Sequence, residues 1–371
     1  MNPRTSRSVR HLDAIVGLSD NPTMGSYGAL GVRRVINACG IYTDLGGSCL
    51  SPAVWAAAAE ANRTWASVPE LLDAAGARIA ELVHAEAARV VPGASAGIAL
   101  AVGACIARGD GAVGEALPAT DAVVLMQRGH AYKYARCARL AGARVELVED
   151  LAEGLASLRP AAILHPAHLD DVGVPLSEVR RLGVPVVVDA AYLSYPPAEL
   201  SRWSADFVCF SAKYFWGPNA GGFVAGSRER IADLAALDFT GYESGEWRTF
   251  GRAFKLDRAT IVATVAALEE WLAMDHNARW DRYGAVAREL QGVVGGSLMR
   301  FTLDERLIED PLVNAVVVPR AGALEGSLAA GDPSVRAMAY GDDLVFCTET
   351  LAPGEVFEIA GVWRSLEART G

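Results

Sequence analysis

The chain has 371 residues, of which 51% are hydrophobic, and a formal net charge of −10. This composition is typical of a globular protein with one large domain and a smaller one. The acidic balance disfavours nonspecific binding to nucleic acid. No apolar run is long enough to span a bilayer and no signal-peptide pattern opens the chain, so the sequence predicts a soluble, cytoplasmic protein without a membrane partner.

The sequence suggests three regions along the chain. Residues 1–30 are predicted to form a partly flexible N-terminal arm, residues 31–270 the large domain with its N-terminal segment, and residues 271–371 a small C-terminal domain. The six cysteines include no CxxC pair, which supports neither a disulfide framework nor a zinc site, and no metal is expected.

From about residue 87, short apolar runs alternate with helical stretches, a pattern that predicts a mostly parallel, doubly wound sheet. The turn "WGPNAGG" joins the last two strands and is too short for a crossover helix, so this pair is predicted to be antiparallel. The seven predicted strands are Ala88–Val91, Ala122–Met126, Arg144–Val148, Ala161–Leu164, Val184–Val188, Asp206–Phe210 and Gly222–Ala225. The predicted helices lie within residues 51–86 and at Ser95–Ala107, Tyr132–Ala141, Pro175–Leu182 and Arg258–Asp275, and the C-terminal α/β layer has strands near Ala315–Val318 and Leu344–Thr348.

Lysine is unusually rare in this chain. Only three of the 34 basic residues are lysines: Lys133, Lys213 and Lys255. A lysine amine performs chemistry that a guanidinium cannot. Lys213 follows a predicted strand, at the sheet edge where open α/β sheets bind ligands. For Lys133, in "YKYAR", codon bias and chance retention are the favoured interpretation.

Three further signals follow other predicted strands. Asp189 ends the apolar run of "VPVVVDAAY" and, if buried, needs a cationic or hydrogen-bonding partner. His130 follows the strand before "RGHAYKY". The small-residue turn in "VVPGASAGIALAV" opens a helix whose free N–H groups suit an anion. Each signal alone also has a structural explanation, such as a helix cap or a surface residue.

Together these residues predict a pyridoxal 5′-phosphate (PLP) site, because PLP has an aldehyde for a lysine, a ring nitrogen for an acid, a flat ring and a phosphate. Lys213 is predicted to form the Schiff base and to act as general base at the substrate α-carbon. The predicted cofactor-binding residues are Ser95, Ala96 and Gly97 at the phosphate, His130 against the ring, Asp189 at the ring nitrogen, Ala191 under the ring, Ser211 at the phosphate, and Lys213.

The sequence resembles the fold-type I PLP enzymes, in the group similar to bacterial selenocysteine synthase and its tRNA-independent, D-glucosaminate-6-phosphate ammonia-lyase-like relatives. The matching segments are "RRVINACGIYTDLGGSCLSP", "ELLDAAGARIAELVHAEAARVVPGASAGIALA", "QRGHAYKYARCARLAGARVELV", "VPVVVDAAYLSYP" and "FSAKYFWGPNAGGFVAGSRERI". The resemblance implies an aspartate-aminotransferase-like α/β fold, and a homodimer or larger homo-oligomer in which Ile41–Ser48 reaches a neighbouring subunit's site.

The resemblance implies a small amino acid or amino sugar acid as substrate, with α,β-elimination or β-replacement as the reaction. Candidate substrate residues are Arg252, which could clamp a carboxylate, His168 in "LHPAHLDD", and Tyr42. The alternatives are a selenium transferase on aminoacyl-tRNA, another PLP reaction (transamination, racemisation, decarboxylation or an oxygen-dependent variant), and a non-catalytic relative. Ala212 stands where the selenium transferase usually carries an acidic residue, and "TGYESGEWRTF" at 240–250 resembles no family motif.

Overall fold

Two compact units make up the described chain. The computed structural model describes residues 26–192, 205–240, 242, 249–303 and 305–370. One unit is Ile41–Asp275, and the other combines the described parts of Met1–Gly40 and His276–Gly371. No helix among the described residues is both long and apolar enough to cross a membrane. The cytoplasmic location stays a prediction.

The segment before Gly40 belongs to the second unit. It contains helix α1 (Ser26–Ala29) and strand β1 (Val35–Asn37), and β1 pairs in parallel with β12 (Ser334–Arg336). The domain boundaries inferred from the sequence differ in placing residues 31–40 with the large domain, and they stay a prediction. Residues 1–25 of the predicted arm lie outside the described residues.

The Ile41–Asp275 unit is built on one seven-stranded sheet in the order β2-β8-β7-β6-β5-β3-β4. Strands β3 to β7 pair in parallel, whereas β8 lies between β2 and β7 and is antiparallel to both. The mostly parallel sheet and the antiparallel last pair confirm the sequence prediction. The strands are β2 (Ala87–Val91), β3 (Val123–Gln127), β4 (Arg144–Val148), β5 (Ala162–Pro166), β6 (Val186–Asp189), β7 (Phe207–Ser211) and β8 (Gly222–Gly226).

Both faces of this sheet are buried, which explains why its strands are almost continuously apolar. Successive side chains of a strand alternate between faces. In β3, Leu125 packs into one hydrophobic cluster, while Val124 and Met126 pack into the cluster on the other face.

Some helices of this unit begin at a side-chain cap. Ser51, Asp150 and Asp257 each accept a hydrogen bond from a backbone N–H of the first helical turn, as N-cap residues do. The helices are α2 (Pro52–Ala61), α3 (Val68–Val83), α4 (Gly93–Ala107), α5 (Gly111–Ala116), α6 (Leu151–Leu158), α7 (Leu176–Val179), α8 (Arg228–Ala235), α9 (Thr249–Arg252) and α10 (Arg258–Ala273).

Two helix predictions need correction. The predicted helix Tyr132–Ala141 is a 3₁₀ helix at Lys133–Ala141, and the predicted helix Pro175–Leu182 shortens to α7. Pro175 precedes α7, and Gly183, with φ +74°, and Pro185 follow it, which allows only a short helix between them.

Helix α4 is apolar on all sides because it is almost wholly buried. Its small residues allow a close approach to the sheet. A Cβ on Gly97 would lie 2.9 Å from Val224 Cγ2, so a larger residue would push α4 away from β8.

A buried ion pair links β2 to the chain after α8. Arg89 is 5% exposed and donates to Asp238, with Nε 2.9 Å from Oδ2, while its Nη1 lies 2.6 Å from Oδ1 of Asp73. The Asp238 side chain is 6% exposed and the Asp73 side chain is 75% exposed. The guanidinium is therefore compensated mainly by the buried carboxylate.

The second unit is a smaller α/β layer, as predicted. Its antiparallel sheet has the order β10-β9-β11-β14-β13. Residues such as Phe346 and Trp363 fill its core, with ring centroids 6.0 Å apart. The remaining elements are β9 (Ser297–Phe301), β10 (Leu307–Ile308), β11 (Ala315–Val318), β13 (Met338–Tyr340), β14 (Asp343–Cys347), α11 (His276–Val294), α12 (Glu325–Ala330) and α13 (Glu355–Thr370).

Candidate active site

The neighbouring strands β6 and β7 bring Asp189 and Lys213 to one edge of the sheet. Asp189 is the last residue of β6 and is in register with Cys209 of β7. Strand β7 ends at Ser211, and Lys213 follows in the 3₁₀ turn Ala212–Phe215. Because the two strands are parallel, their carboxyl ends meet where open α/β sheets bind ligands.

Lys213 is a buried amine. The residue is 9% exposed, and its Nζ donates to Thr43 Oγ1 at 3.0 Å and to Ile41 O at 3.4 Å. Burial, and then the positive charge of Lys133, lower the pKa of the Lys213 amine. A lowered pKa leaves more of the amine neutral near pH 7, and the neutral amine is the form that acts as nucleophile or base.

The segment Ile41–Ser48 lies against the lysine turn of its own chain. Besides the two contacts to Lys213, Ser48 Oγ donates to Gly217 O at 2.7 Å. Gly47 has φ +78° beside the Asn219 side chain, where a Cβ would have no room. These contacts are made within one chain. The implied contribution to a neighbouring subunit and the homo-oligomer itself stay predictions.

Asp189 is a buried carboxylate, 4% exposed. Its Oδ2 accepts from the Tyr132 hydroxyl at 2.5 Å, and its Oδ1 accepts from the Ala191 N–H at 3.0 Å. Burial raises the pKa of Asp189, and these two hydrogen bonds oppose the rise. Tyr132 was not among the predicted site residues, although its place two residues after His130 in "RGHAY" could have suggested it.

His130 lies inside the protein, with 0% of its surface exposed. Its Nε2 lies against Val172 O and its Nδ1 lies 3.4 Å from Gln127 Nε2, contacts that fit a proton on Nε2 donated to the carbonyl oxygen. Its ring meets His165 edge-on, with centroids 4.8 Å apart. The predicted stacking of His130 on a cofactor ring stays a prediction, and this enclosed position does not support it.

The predicted phosphate turn forms a corner with β7 and β8. Gly93 begins α4 with φ +82°, and the first N–H groups of a helix have no intrahelical partner. Gly222 pairs with Ser211, and a Cβ on Gly222 would lie 2.8 Å from Gly93 Cα. Ser211 and the start of α4, which includes Ser95, therefore flank the same short stretch of β8. We call this part of the site the anion corner.

A row of aromatic rings extends from Asp189 towards Lys213. Ring centroids are 5.5 Å apart for Tyr132 and His168, 4.8 Å for His168 and Tyr192, and 6.0 Å for Tyr192 and Tyr214. The Lys213 Nζ lies 4.9 Å from the centroid of the Tyr214 ring. The structure thus places His168, a predicted substrate residue, beside the candidate site.

The other predicted substrate residues are Arg252 and Tyr42, and Tyr42 lies between Ile41 and Thr43, which both contact the Lys213 Nζ. The Arg252 guanidinium lies 5.3 Å from the ring centroid of Tyr242. Tyr42 is half-buried and precedes the 3₁₀ turn Thr43–Leu45. Their substrate roles stay predictions. Most of the 240–250 stretch, at 241 and 243–248, lies outside the described residues.

The residues present fit PLP. Lys213 supplies an amine with a lowered pKa, and the anion corner supplies donors for a phosphate. Among the described residues Asp189 has only neutral donors and no ion pair, so a protonated pyridine nitrogen would match its charge if PLP bound there. The fold and these residues define a PLP-dependent enzyme of fold type I.

Comparison with known proteins identifies the family, although no family model matches the sequence. The chain is 31% identical over 281 residues to a Streptomyces 5′-C-glycyluridine monooxygenase-decarboxylase, covering 68% of this chain and 67% of that protein. It is 32% identical over 277 residues to the D-glucosaminate-6-phosphate ammonia lyase of Salmonella typhimurium, covering 67% and 70%. The chain belongs to the family of PLP enzymes that these two proteins represent.

Solved structures agree with this assignment. A structure of D-glucosaminate-6-phosphate ammonia-lyase matches with a TM-score of 0.78 and 25% identity, over 94% of this chain and 99% of that one. Serine palmitoyltransferase of Sphingomonas wittichii matches with a TM-score of 0.54 and 15% identity, over 91% and 88%, which shows the fold alone. The predicted fold and the predicted cofactor are confirmed.

Proposed function

We propose that this enzyme is a PLP-dependent lyase that acts on a small amino acid or amino sugar acid by α,β-elimination, with β-replacement as the variant in which a second nucleophile adds. The observation that carries the proposal is the buried Lys213 amine with its lowered pKa. Bound PLP supplies an aldehyde for amines and an electron sink for a carbanion at the substrate α-carbon.

Each residue has a task in this proposal. Lys213 would hold the cofactor through its aldehyde until the substrate amine takes its place there, and the freed, neutral amine would then remove the α-proton. Thr43 Oγ1, 3.0 Å from the Lys213 Nζ, orients the amine. Asp189 pairs with the ring nitrogen, and the anion corner binds the phosphate. With the carbanion formed, the β-substituent leaves with the bonding electrons and the α,β-double bond remains.

The ammonia lyase in the family supports elimination, since its name describes the loss of an amine from an amino sugar acid phosphate and its fold covers nearly this whole chain. A second candidate is oxygen-dependent decarboxylation. It is favoured by the glycyluridine relative, which is as similar and covers as much of the chain. Both candidate reactions begin with a substrate amine at the cofactor aldehyde, so Lys213, Asp189 and the anion corner have the same proposed tasks in each.

The first experiment tests whether Lys213 is the residue that binds PLP. Purified protein with added PLP is expected to show a yellow absorption band that borohydride bleaches, and peptide mapping after reduction should find the cofactor on Lys213. Lys213→Arg keeps the positive charge but cannot form the imine, so it should lack the band. Lys255→Ala is the matched control, since Lys255 is exposed, and should retain it.

The second experiment separates the reactions. Amino acids and amino sugar acids that shift the band are incubated with and without oxygen. Elimination should release ammonia and a 2-keto acid at the same rate in both conditions. Oxygen uptake with release of CO₂ would instead identify the reaction as oxygen-dependent decarboxylation, the second candidate. A band on Lys213 with neither product would leave the cofactor assignment intact and contradict both reactions.

A further inference from the structure

Tyr132 is the side chain in closest contact with the buried carboxylate of Asp189. It immediately precedes the 3₁₀ helix Lys133–Ala141, and its backbone is extended. Its ring contacts the rings of Tyr134 and His168, with centroid distances of 6.1 and 5.5 Å. The hydroxyl lies 2.5 Å from Asp189 Oδ2. The neighbouring rings therefore hold the phenol in the direction of the carboxylate.

The two oxygens of Asp189 have different donors. Oδ1 accepts from the backbone N–H of Ala191, while Oδ2 accepts from Tyr132. One donor on each oxygen sets the plane of the carboxylate. Among the described residues, Tyr132 is its one side-chain donor and no cation pairs with it. The nearby thiols of Cys137 and Cys209 are neutral, because burial raises their pKa.

A carboxylate in such surroundings needs its donors. Burial without compensation favours the protonated, neutral acid. A neutral Asp189 could not stabilise a protonated ring nitrogen. Tyr132 keeps its own proton, since burial and the nearby Asp189 charge raise the pKa of its phenol, so it acts only as a donor.

We propose that Tyr132 is a positioning residue that holds Asp189 as an oriented, ionised carboxylate and thereby keeps the ring nitrogen of bound PLP protonated. This inference rests on the proposed pairing of Asp189 with that nitrogen. It is independent of which reaction the enzyme performs, because the ring nitrogen has the same partner in every candidate reaction.

The test compares three variants. Tyr132→Phe removes only the hydroxyl. Tyr134→Phe removes a hydroxyl from the exposed neighbouring residue, 42% exposed, and is the matched control. Asp189→Asn removes the carboxylate itself. Circular dichroism and thermal melting establish that each variant is folded.

Two readouts need no substrate. Infrared spectra of the cofactor-free proteins should show the carbonyl stretch of a protonated acid in Tyr132→Phe, and this band should vanish when Asp189→Asn is added. With ¹⁵N-labelled PLP bound, the nitrogen signal of Tyr132→Phe should move from the protonated towards the unprotonated position, as in Asp189→Asn. We expect the PLP dissociation constant of Tyr132→Phe to rise about tenfold, and Tyr134→Phe to match the parent protein.

Several results would overturn the proposal. If Asp189→Asn moves the nitrogen signal and Tyr132→Phe does not, Tyr132 has no effect on the ionisation of Asp189. If neither variant moves the signal, the pairing of Asp189 with the ring nitrogen is wrong as well. Should Tyr132→Phe not fold, 3-fluorotyrosine at position 132 retains the ring and strengthens the donor. It should then lower the pH at which the carbonyl stretch of protonated Asp189 appears in the cofactor-free protein, and an unchanged midpoint would refute the proposal.

Discussion

A methyl group added at Gly222 should damage the cofactor site through the backbone. A Cβ at this position would lie 2.3 Å from Phe210 O and 2.8 Å from Gly93 Cα, whereas ordinary contacts are 3.4–4 Å. The strand would have to move by about 1 Å, because backbone atoms cannot rotate aside. Such overpacking costs about 1–3 kcal/mol of stability, and we expect Gly222→Ala to lie in the upper half of that range.

The same displacement should weaken PLP binding, because Gly93 opens the proposed anion corner. Losing one hydrogen bond to a charged phosphate costs about 1.5–3 kcal/mol, which corresponds to about a 10- to 150-fold higher dissociation constant. Gly226→Ala is the matched control at the other end of β8. Its Cβ would lie 2.0 Å from Asp206 O, so it should be destabilising without touching α4.

The assay measures stability by urea unfolding and PLP affinity by absorbance titration, at a temperature where both variants are folded. We expect both variants to lose stability and only Gly222→Ala to lose affinity by the stated factor. Equal losses of affinity would mean that general loosening, not the contact with Gly93, is responsible. Unchanged stability in both would show that the sheet accommodates the methyl group and would refute the packing argument.

Three other perturbations have expected outcomes. Lys133→Gln removes a positive charge that lowers the pKa of Lys213, so the midpoint of the pH profile for PLP attachment should move to higher pH, and an unmoved midpoint would contradict this. Asp238→Ala leaves the buried Arg89 guanidinium without its buried partner, so it should cost about 3–5 kcal/mol of unfolding free energy. Asp73→Ala removes the exposed carboxylate that also contacts Arg89, and it should cost less than about 1 kcal/mol. Comparable losses in urea unfolding would refute this. Burial, above all, lowers the pKa of His165 from 6.5 to about 4. The folded state therefore binds fewer protons than the unfolded state between these pH values, and stability should fall by about 3 kcal/mol as pH drops through that window. In a His165→Gln variant, stability should depend less on pH over this range. A profile identical to that of the parent protein would show that His165 does not cause the pH dependence.

The sequence by itself determined the order and type of the main elements. Apolar runs buried on both faces leave little choice of secondary structure, and the short "WGPNAGG" turn allowed only an antiparallel pair. Asp189 and Lys213 could be found because each directly follows such a run, and parallel strands bring their carboxyl ends to one edge. Those signals lie within short stretches of sequence, so they can be recognised without knowledge of the fold.

Tertiary structure decided what depends on residues far apart in the chain. The insertion of β8 between β2 and β7 places Gly222 beside Gly93, a contact between segments separated by more than a hundred residues. The hydrogen bond from Tyr132 to Asp189 likewise joins the segment after β3 to the end of β6, and no local pattern encodes which hydroxyl reaches a buried acid. The enclosed position of His130 has the same origin, because the burial of a side chain is set by the elements packed around it rather than by its neighbours in sequence.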